Sequence, residues 1–378
     1  MRYFLFLICC GIFACSSKNS SNPVSDKEIT VSIDTVYLDS KGEILFLFHN
    51  LSLSDFSEDK SLLYNFNTQT PQVEVLDLDN LQFVKRIPFD LEGPNGVGEY
   101  VNGFQLLGKD SVYINSFFQY GIFNWSAEKI MDLGFSDIMF GEWLVDDFFR
   151  SNNLHVASLD GYKLAGIFDD WRSGDSDPVF GMLDLKKKEF FFDSLNGFDY
   201  LDSFSPKNSE SGRKERLYWV ISSMENNDIL IGNNIGSDLY RFNTNTQVIE
   251  FKSFEHSLFP SRKTIQVPKT VDSFAEYHRV YLESQEDINF QLPVWDESNQ
   301  LYYRFSYKNK LGDVDGDLAA VSAKVFLSIL DQDLNLIAES EIQELKKSPN
   351  FHFVKDGKIW IFENIKDEVS FIRLKIDL

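Results

Sequence analysis

The stretch LYNFNTQTPQVE, residues 63–74, returns later in the chain as LYRFNTNTQVIE, residues 239–250. Both copies share Leu-Tyr-x-Phe-Asn-Thr-x-Thr and end in a glutamate after a slip of one residue. Each copy joins a strand-like run to an Asn-Thr turn and a second run, which is typical of a β-hairpin. Repetition of all-β units predicts a β-propeller, in which four-stranded sheets surround a central channel.

Apolar and polar residues alternate along most of the chain, and this period of two favours strands over helices. The alternation is clear in ITVSIDTVY, residues 29–37, and in SFIRLKIDL, residues 370–378. A helix-like charge arrangement occurs in SEIQELKKSP, residues 340–349, where Pro349 would end the helix. The sequence therefore predicts an all-β fold with little helix.

Turn-forming clusters divide the strand-like runs into six groups, and we predict one propeller blade from each. Seven blades are the alternative, because the groups are somewhat longer than the usual repeat of about 40 to 50 residues. We expect the strand at residues 29–37 to complete the last blade and close the ring. The six groups span residues 54–90, 100–135, 153–195, 216–255, 279–342 and 350–378.

The N-terminal segment predicts export and a lipid anchor. Residues 1–14, MRYFLFLICCGIFA, place Arg2 before an apolar run too short to span a bilayer, as in a signal peptide. IFAC, residues 12–15, resembles the lipobox of bacterial lipoprotein signals, which implies that Cys15 carries acyl chains such as palmitate and inserts in the bilayer. Residues 15–28 are typical of a flexible tether, and residues 29–378 form one propeller domain. We therefore expect a lipid-anchored protein of the cell envelope, at the outer membrane, on either its periplasmic or its surface face.

Composition limits the chemistry of the folded part. The three cysteines, Cys9, Cys10 and Cys15, all lie in the N-terminal segment, so the later residues offer no disulfide, zinc thiolate or nucleophilic thiol. The chain has 36 basic and 58 acidic residues, a formal net charge of −22. Such a balance repels phosphate backbones and argues against nucleic acid as a partner, whereas a cationic ligand would suit it.

The segment FDLEGPNGVGEYVNGFQLLGKDSVYI, residues 89–114, is similar to a blade connection in exported propeller lipoproteins of Bacteroidota, where a Gly-Pro-Gly-Glu-Tyr-like loop precedes a strand. With its signal segment and length, the chain resembles the lipoprotein family catalogued as domain of unknown function 4221. The resemblance implies an exported six-bladed propeller and brings no catalytic residue. This sequence departs from the loop by inserting Asn95, Gly96 and Val97 between Pro94 and Gly98.

The loop EGPNGVGEY, residues 92–100, does not have the properties of a phosphate-binding loop. Its glycines are wrongly spaced for a dinucleotide-binding motif, no helix follows, and its two glutamates would repel phosphate. We interpret it as a connection that leads into a new blade. Four of its side chains are then free to face a ligand: Glu92, Asn95, Glu99 and Tyr100.

GDVDGDL, residues 312–318, is the best candidate for a calcium site, because Asp313, Asp315 and Asp317 alternate there. Compared with an EF-hand loop, it lacks the glycine at the sixth position and the glutamate at the twelfth. We expect a solvated acidic loop, and we predict no cofactor or metal for the protein.

Candidate catalytic groups are few. The five histidines show no metal-binding spacing, and the chain contains no Gly-x-Ser-x-Gly motif of a serine hydrolase. His278 is the first histidine to test, since Glu276 and Arg279 stand beside it. The features that the sequence does indicate are a lipid anchor, a flexible tether and a rigid scaffold.

The sequence thus predicts a non-enzymatic module that binds a ligand or an envelope protein, peptide or glycan through one face of the ring. The alternative is an extracytoplasmic carbohydrate-active hydrolase or lyase with carboxylates or His278 in the channel. An axial pocket where histidines, carboxylates and an arginine converge would favour the enzyme.

Overall fold

The computed structural model describes residues 29–117, 119–134, 137–140, 143–144, 150–169, 178–314 and 316–378. The predicted signal peptide, residues 1–14, and the predicted tether with Cys15, residues 15–28, lie outside the described residues. Within the described ranges, no helix has the length and apolar character needed to cross a membrane.

The first half of the described chain forms β1 and three antiparallel blades. Strand β1 (Thr30–Tyr37) is followed by a 3-10 helix (Phe48–Leu51). Blade 1 contains β2 (Ser54–Phe56), β3 (Leu62–Asn67), β4 (Gln72–Asp77) and β5 (Gln82–Pro88); blade 2 contains β6 (Val101–Leu107), β7 (Ser111–Ser116), β8 (Tyr120–Asn124) and β9 (Lys129–Asp132). A short hairpin of β10 (Met139–Phe140) and β11 (Trp143–Leu144) precedes blade 3, which contains β12 (Arg150–Val156), β13 (Lys163–Asp169), β14 (Val179–Asp184) and β15 (Glu189–Asp193).

The second half forms three more blades. A 3-10 helix (Asn196–Phe204) and β16 (Lys207–Asn208) lead to blade 4, with β17 (Val220–Glu225), β18 (Asp228–Asn233), β19 (Leu239–Asn243) and β20 (Val248–Lys252). Strand β21 (Thr270–Val271), which pairs with β16, and helix α1 (Phe274–Gln285) precede blade 5, with β22 (Ile288–Phe290), β23 (Val294–Asp296), β24 (Leu301–Val314), β25 (Asp317–Leu330) and β26 (Leu336–Glu341). Blade 6 contains β27 (His352–Lys355), β28 (Lys358–Ile365), β29 (Glu368–Asp377) and the early strand β1. The described chain is thus a six-bladed β-propeller, as the sequence predicts.

Several hairpin turns begin with an asparagine or aspartate at the end of a strand. Asn67 Oδ1 accepts hydrogen bonds from the backbone N–H groups of Gln69, at 2.9 Å, and Thr70, at 3.1 Å. Asn243 Oδ1 accepts from the corresponding two N–H groups at 3.2 and 2.9 Å. Such Asx turns reverse the chain and satisfy backbone donors that leave the strand ladder. Equivalent bonds are made by Asp77, Asp184, Asp296 and Asp331.

The two copies of the sequence repeat occupy different places within their blades. The first copy covers β3 and β4, the second and third strands of blade 1, whereas the second covers β19 and β20, the third and fourth strands of blade 4. The repeat therefore reports a shared turn and not the phase of the blades. The fold that it predicts is confirmed, although the repeat is not a blade unit.

The fifth predicted group is wrong at its beginning, because residues 274–285 form α1 and blade 5 starts at Ile288. Ser273 caps this helix by accepting a hydrogen bond from Glu276 N at 3.2 Å, and the Glu276 carboxylate accepts from Asp272 N at 2.7 Å. This is close to the Ser-x-x-Glu capping box that marks a helix start.

The helix expected at residues 340–349 is absent from this described segment, and the prediction is wrong. Its first residues belong to β26, which pairs with β25. Ile342 and Leu345, which follow, are buried in the core that blades 5 and 6 share. Burial of these apolar residues overrides the helical pattern of charges.

Strand β1 closes the ring by pairing with β29 along its whole length, from Thr30 opposite Asp377 to Tyr37 opposite Ser370. Its inward residues Val31 and Ile33 pack against the core of blades 5 and 6. On the outward face, the guanidinium of Arg373 donates to both oxygens of Asp34, at 2.7 and 2.6 Å. The predicted closure by the N-terminal strand is thus confirmed.

The substitution Ile33→Asp tests this closure. It removes an apolar contact and places a carboxylate against the core, so we expect a loss of about 2–4 kcal/mol in the free energy of unfolding. Ser32→Asp is the matched control, because Ser32 is exposed and lies opposite Lys375 in the same strand pair. Thermal unfolding followed by circular dichroism measures both. Equal melting temperatures for the two variants would contradict the role of β1.

Candidate functional site

A cavity of about 960 Å³ lies along the axis of the ring, and its wall includes the inner strands of all six blades. The first strands β2, β6, β12, β17 and β27 contribute, together with β23 of blade 5. Turn residues at the ends of three of these strands, Lys60, Asn226 and Glu297, extend the wall. The cavity therefore collects side chains that are far apart in the sequence.

Side chains on the inner strands make hydrogen bonds to the next blade around the cavity. Asp55 Oδ2 in blade 1 accepts from Leu106 N in blade 2 at 2.7 Å. Gln105 Oε1 in blade 2 accepts from Val156 N in blade 3 at 2.8 Å. The innermost strand of a blade has a free edge, and its backbone groups need partners when they are buried. These two side chains supply such partners.

The same linkage continues through blades 3, 4 and 5. His155 Nε2 in blade 3 lies 3.2 Å from Ser222 Oγ in blade 4. Glu225 Oε2 in blade 4 accepts from Trp295 N in blade 5 at 3.1 Å. Each contact joins the first strand of one blade to an inner strand of the next.

Two further bonds complete the circuit. Gln291, between β22 and β23, donates from Nε2 to Pro349 O just before blade 6, at 2.6 Å. Lys60 Nζ in blade 1 donates to Val354 O in blade 6 at 2.8 Å. We call these six side chains the inner belt: Asp55, Gln105, His155, Glu225, Gln291 and Lys60. The belt gives several polar residues at the cavity a structural role.

Two carboxylic acids of the inner belt have strongly perturbed pKa values. Burial raises the pKa of Asp55 to about 6, against the opposing effect of hydrogen bonds from Leu106 N and Phe56 N. Burial raises the pKa of Glu225 to about 7, although the charge of Lys60 lowers it. Both side chains keep part of their accessible surface, which opens to the cavity. Near neutral pH, Glu225 is therefore poised between its charged and neutral forms.

The two histidines at the cavity are held in the neutral form. Burial lowers the pKa of His155 to about 4, and burial also lowers the pKa of His352. His352 Nδ1 lies 2.9 Å from Asn350 O, so Nδ1 carries the hydrogen and Nε2 is a bare acceptor. Among the described side chains at the cavity, His352 Nε2 and Ser223 Oγ are buried without a hydrogen-bond partner. A ligand could supply what these atoms lack.

The predicted ligand-facing loop lies outside the cavity wall. It joins β5 to β6, which begins at Val101 directly after Tyr100, as the blade-connection interpretation expects. Asn95 Oδ1 accepts from Lys129 N at 3.1 Å, so this side chain holds the start of β9. Glu92, Glu99 and Tyr100 are exposed. Their contact with a partner stays a prediction.

Gly98 in this loop has a structural reason to be glycine. Its φ of +80° lies in the left-handed region, and a Cβ atom there would come within 2.5 Å of Ser116 Oγ. The glycine thus allows the loop to approach the end of β7 closely.

The calcium candidate lies at the tip of the long β24–β25 hairpin. Asp313 accepts a hydrogen bond from Gly316 N at 3.1 Å, which is a local turn contact, and Asp317 begins β25. Asp315 lies outside the described residues. In the described part of the chain, no three His, Cys, Asp or Glu side chains are grouped so that they could hold a metal ion. The preference for a solvated acidic loop over a calcium site stays a prediction.

His278 does not lie in the channel. It is exposed on α1 and is not part of the cavity wall. Its neighbour Arg279 forms ion pairs along the helix with Glu276, at 3.8 Å, and Glu283, at 2.7 Å. These contacts are typical of a solvated helix surface. The catalytic alternative with His278 in the channel is therefore wrong, and His155 and His352 are the histidines found there.

Together, the blades, the inner belt and the cavity define a six-bladed propeller with a polar axial site. The family described as Domain of unknown function (DUF4221) matches residues 21–341, and the chain belongs to this family. The resemblance seen in the sequence is thereby confirmed.

Two solved structures share this architecture. A member of the same family from Bacteroides vulgatus superimposes with a TM-score of 0.63 at 16% identity, over 93% of this chain and 99% of that chain. A protein inferred to be exported, from Bacteroides fragilis, gives a TM-score of 0.54 at 12% identity, over 92% of this chain and 96% of that chain. No curated protein matches the sequence. At these identities the likeness bears on the fold alone.

The substitution Glu225→Gln tests the electrostatics of the cavity. The raised pKa means that the folded state favours the protonated acid, so the stabilising contribution is present below about pH 4.5 and is lost as the pH rises through about 7. A glutamine can still accept from Trp295 N but never ionises. We expect the variant to match the unmodified protein at pH 4.5 and to exceed it by about 1–2 kcal/mol at pH 8, after allowance for water in the cavity.

Urea unfolding at the two pH values measures the difference. Glu189→Gln is the control, because Glu189 is exposed on the outermost strand of blade 3. A Glu225→Gln variant that is less stable at pH 8 than the unmodified protein would show that the charged carboxylate is favoured in the fold.

Proposed function

We propose that this protein is an exported, lipid-anchored propeller that binds a small polar ligand in its axial cavity. The observation that carries the proposal is a cavity of about 960 Å³ in which the buried atoms Ser223 Oγ and His352 Nε2 lack partners. Ligand pockets commonly measure about 300–1,000 Å³ and present a few polar groups in a partly apolar wall. The apolar part of the wall includes Phe56, Phe353 and Trp295.

A location at the cell envelope, which we infer from the N-terminal sequence, would fit the same proposal. The lipobox-like IFAC segment would direct acylation of Cys15, and residues 15–28 would hold the propeller away from the bilayer. The solved relative from Bacteroides fragilis is itself inferred to be exported. A propeller in this place would meet envelope peptides, glycans and small molecules, and one of these would be its ligand.

A carbohydrate-active hydrolase or lyase is the second candidate. It is favoured by two acids, Asp55 and Glu225, which share one cavity and have raised pKa values that suit general acid catalysis near neutral pH. Against it, both oxygens of Asp55 already accept backbone hydrogen bonds, from Leu106 and Phe56. Within the described cavity wall no arginine accompanies the acids. Binding without turnover therefore fits the geometry better.

Blocking the cavity tests the binding function. The full-length protein in detergent is dialysed against the small-molecule and glycan fraction of a Bacteroidota envelope extract, and retained compounds are identified by mass spectrometry. We expect the unmodified protein to retain compounds that Ser223→Trp does not, because the indole fills the space beside β17. Glu189→Trp, on the exposed outermost strand of blade 3, leaves the cavity open and is the matched control.

If Ser223→Trp lowers the melting temperature, Ser52→Trp at the exposed rim of the cavity takes its place. Equal retention by the blocked and open variants would refute binding in the cavity. Release of shortened glycans during dialysis would instead favour the hydrolase or lyase.

The anchor is tested by Cys15→Ala in cells. We expect the Cys15→Ala protein to leave the membrane fraction, because the acylated cysteine would be the group that holds the chain to lipid. We also expect processing of the unmodified chain to be sensitive to globomycin. Cys10→Ala is the control and should stay in the membrane fraction. Membrane association that survives the loss of Cys15 would contradict the lipid anchor.

A further inference from the structure

The titratable side chains at the axial cavity are mostly acidic. Four carboxylic acids line it, Asp55, Glu58, Glu225 and Glu297, against the one described lysine of the wall, Lys60. The two histidines add no positive charge near neutral pH, because burial lowers their pKa values. The whole chain carries a formal net charge of −22. Cavity and surroundings therefore attract cations.

The polar atoms of the cavity wall that lack a partner can accept hydrogen bonds. His352 Nε2 is a bare acceptor because Nδ1 donates to Asn350 O. Ser223 Oγ is buried without a partner and can accept a hydrogen bond. Ser223 and Glu225 lie two residues apart on β17, so both point to the same side of the strand, and both line the cavity. One oxygen of Glu225 accepts from Trp295 N, which leaves its second oxygen to a ligand. These acceptors require a ligand that is rich in donors.

Aromatic rings form the apolar part of the same wall. Phe56 lies against Phe353 with ring centroids 4.3 Å apart and is stacked near Phe351 at 6.0 Å. Phe104 and Trp295 also line the cavity. Carboxylates beside aromatic faces are the chemistry that recognises an ammonium group, through ion pairing and cation–π attraction.

A metal ion fits this wall less well than an organic cation. The four acids come from blades 1, 4 and 5, and several of their oxygens are already used in hydrogen bonds. Among the described side chains, no three potential ligands are grouped around one point. An ammonium group needs no such convergence, because its N–H donors can bind separate acceptors.

We propose that the ligand of the axial cavity is an organic amine whose ammonium group pairs with Glu225, while its carbon skeleton packs against the aromatic wall. This inference rests on the proposed binding function. It names the ligand class as a cationic amine and assigns Glu225 and Ser223 as the residues that select it.

The test compares amines with neutral compounds of the same skeleton on the full-length protein in detergent. The probes are 2-phenylethylamine with 2-phenylethanol, and glucosamine with glucose, each at millimolar concentration. We expect at least one amine to bind about tenfold more tightly than its neutral counterpart by calorimetry. Glu225→Gln should remove this preference, whereas Glu189→Gln on the outer strand of blade 3 should keep it.

The compounds retained from the envelope extract decide the remaining outcomes. Retained ligands that carry a basic nitrogen support the inference even if both simple amines are too small to bind. Retained ligands without one, or an amine preference that survives Glu225→Gln, overturn the inference and leave the binding function standing. If the open cavity retains no compound and binds no probe, the binding function fails, and the inference fails with it.

Discussion

The architecture depends on the pairing of β1 with β29, in which eight residues from the start of the described chain complete a sheet from its end. Without this pairing the last blade would expose the edge of β29 and the apolar residues of its core. The inner belt provides a second closure around the axis, where side chains of inner strands and of the adjoining loops link each blade to the next. The ring is thus held closed in two places, by the pairing of β1 with β29 and by the inner belt around the axis.

The inner belt also explains why the cavity is polar. Asp55 and Glu225 face the axis because backbone N–H groups of the following blade need acceptors there. Burial raises the pKa values of both acids and leaves Glu225 poised between its charged and neutral forms near neutral pH. The proposed ligand chemistry would therefore use the same side chains that link the blades. Glu225 is the better suited of the two acids to both roles, because only one of its oxygens accepts a hydrogen bond within the inner belt.

The fold was readable from the sequence, whereas the site was not. Alternating strands and Asx turns are local signals, so the blades and their closing strand could be predicted from runs such as ITVSIDTVY. Helix α1 was missed although Ser273 and Glu276 carry a helix-start signal. The cavity residues Asp55, Gln105 and His155 recur at about one-blade intervals, but their types differ, so no motif repeats. Only the ring brings these residues together. His278 has charged neighbours in the sequence but does not line the cavity.

The seam between β1 and β29 has a consequence for how the protein reaches its native state. Thr30 pairs with Asp377, which is far from it in the sequence, so we expect this pairing to be among the last steps of folding. The strands of blades 1 to 5 are close together in the sequence, so these blades can form before the C-terminal strands are available. Until the C-terminal strands arrive, β1 is a free edge able to pair with another molecule. We therefore expect the protein to be most prone to aggregation before the ring closes, and chaperones would protect it best at that stage.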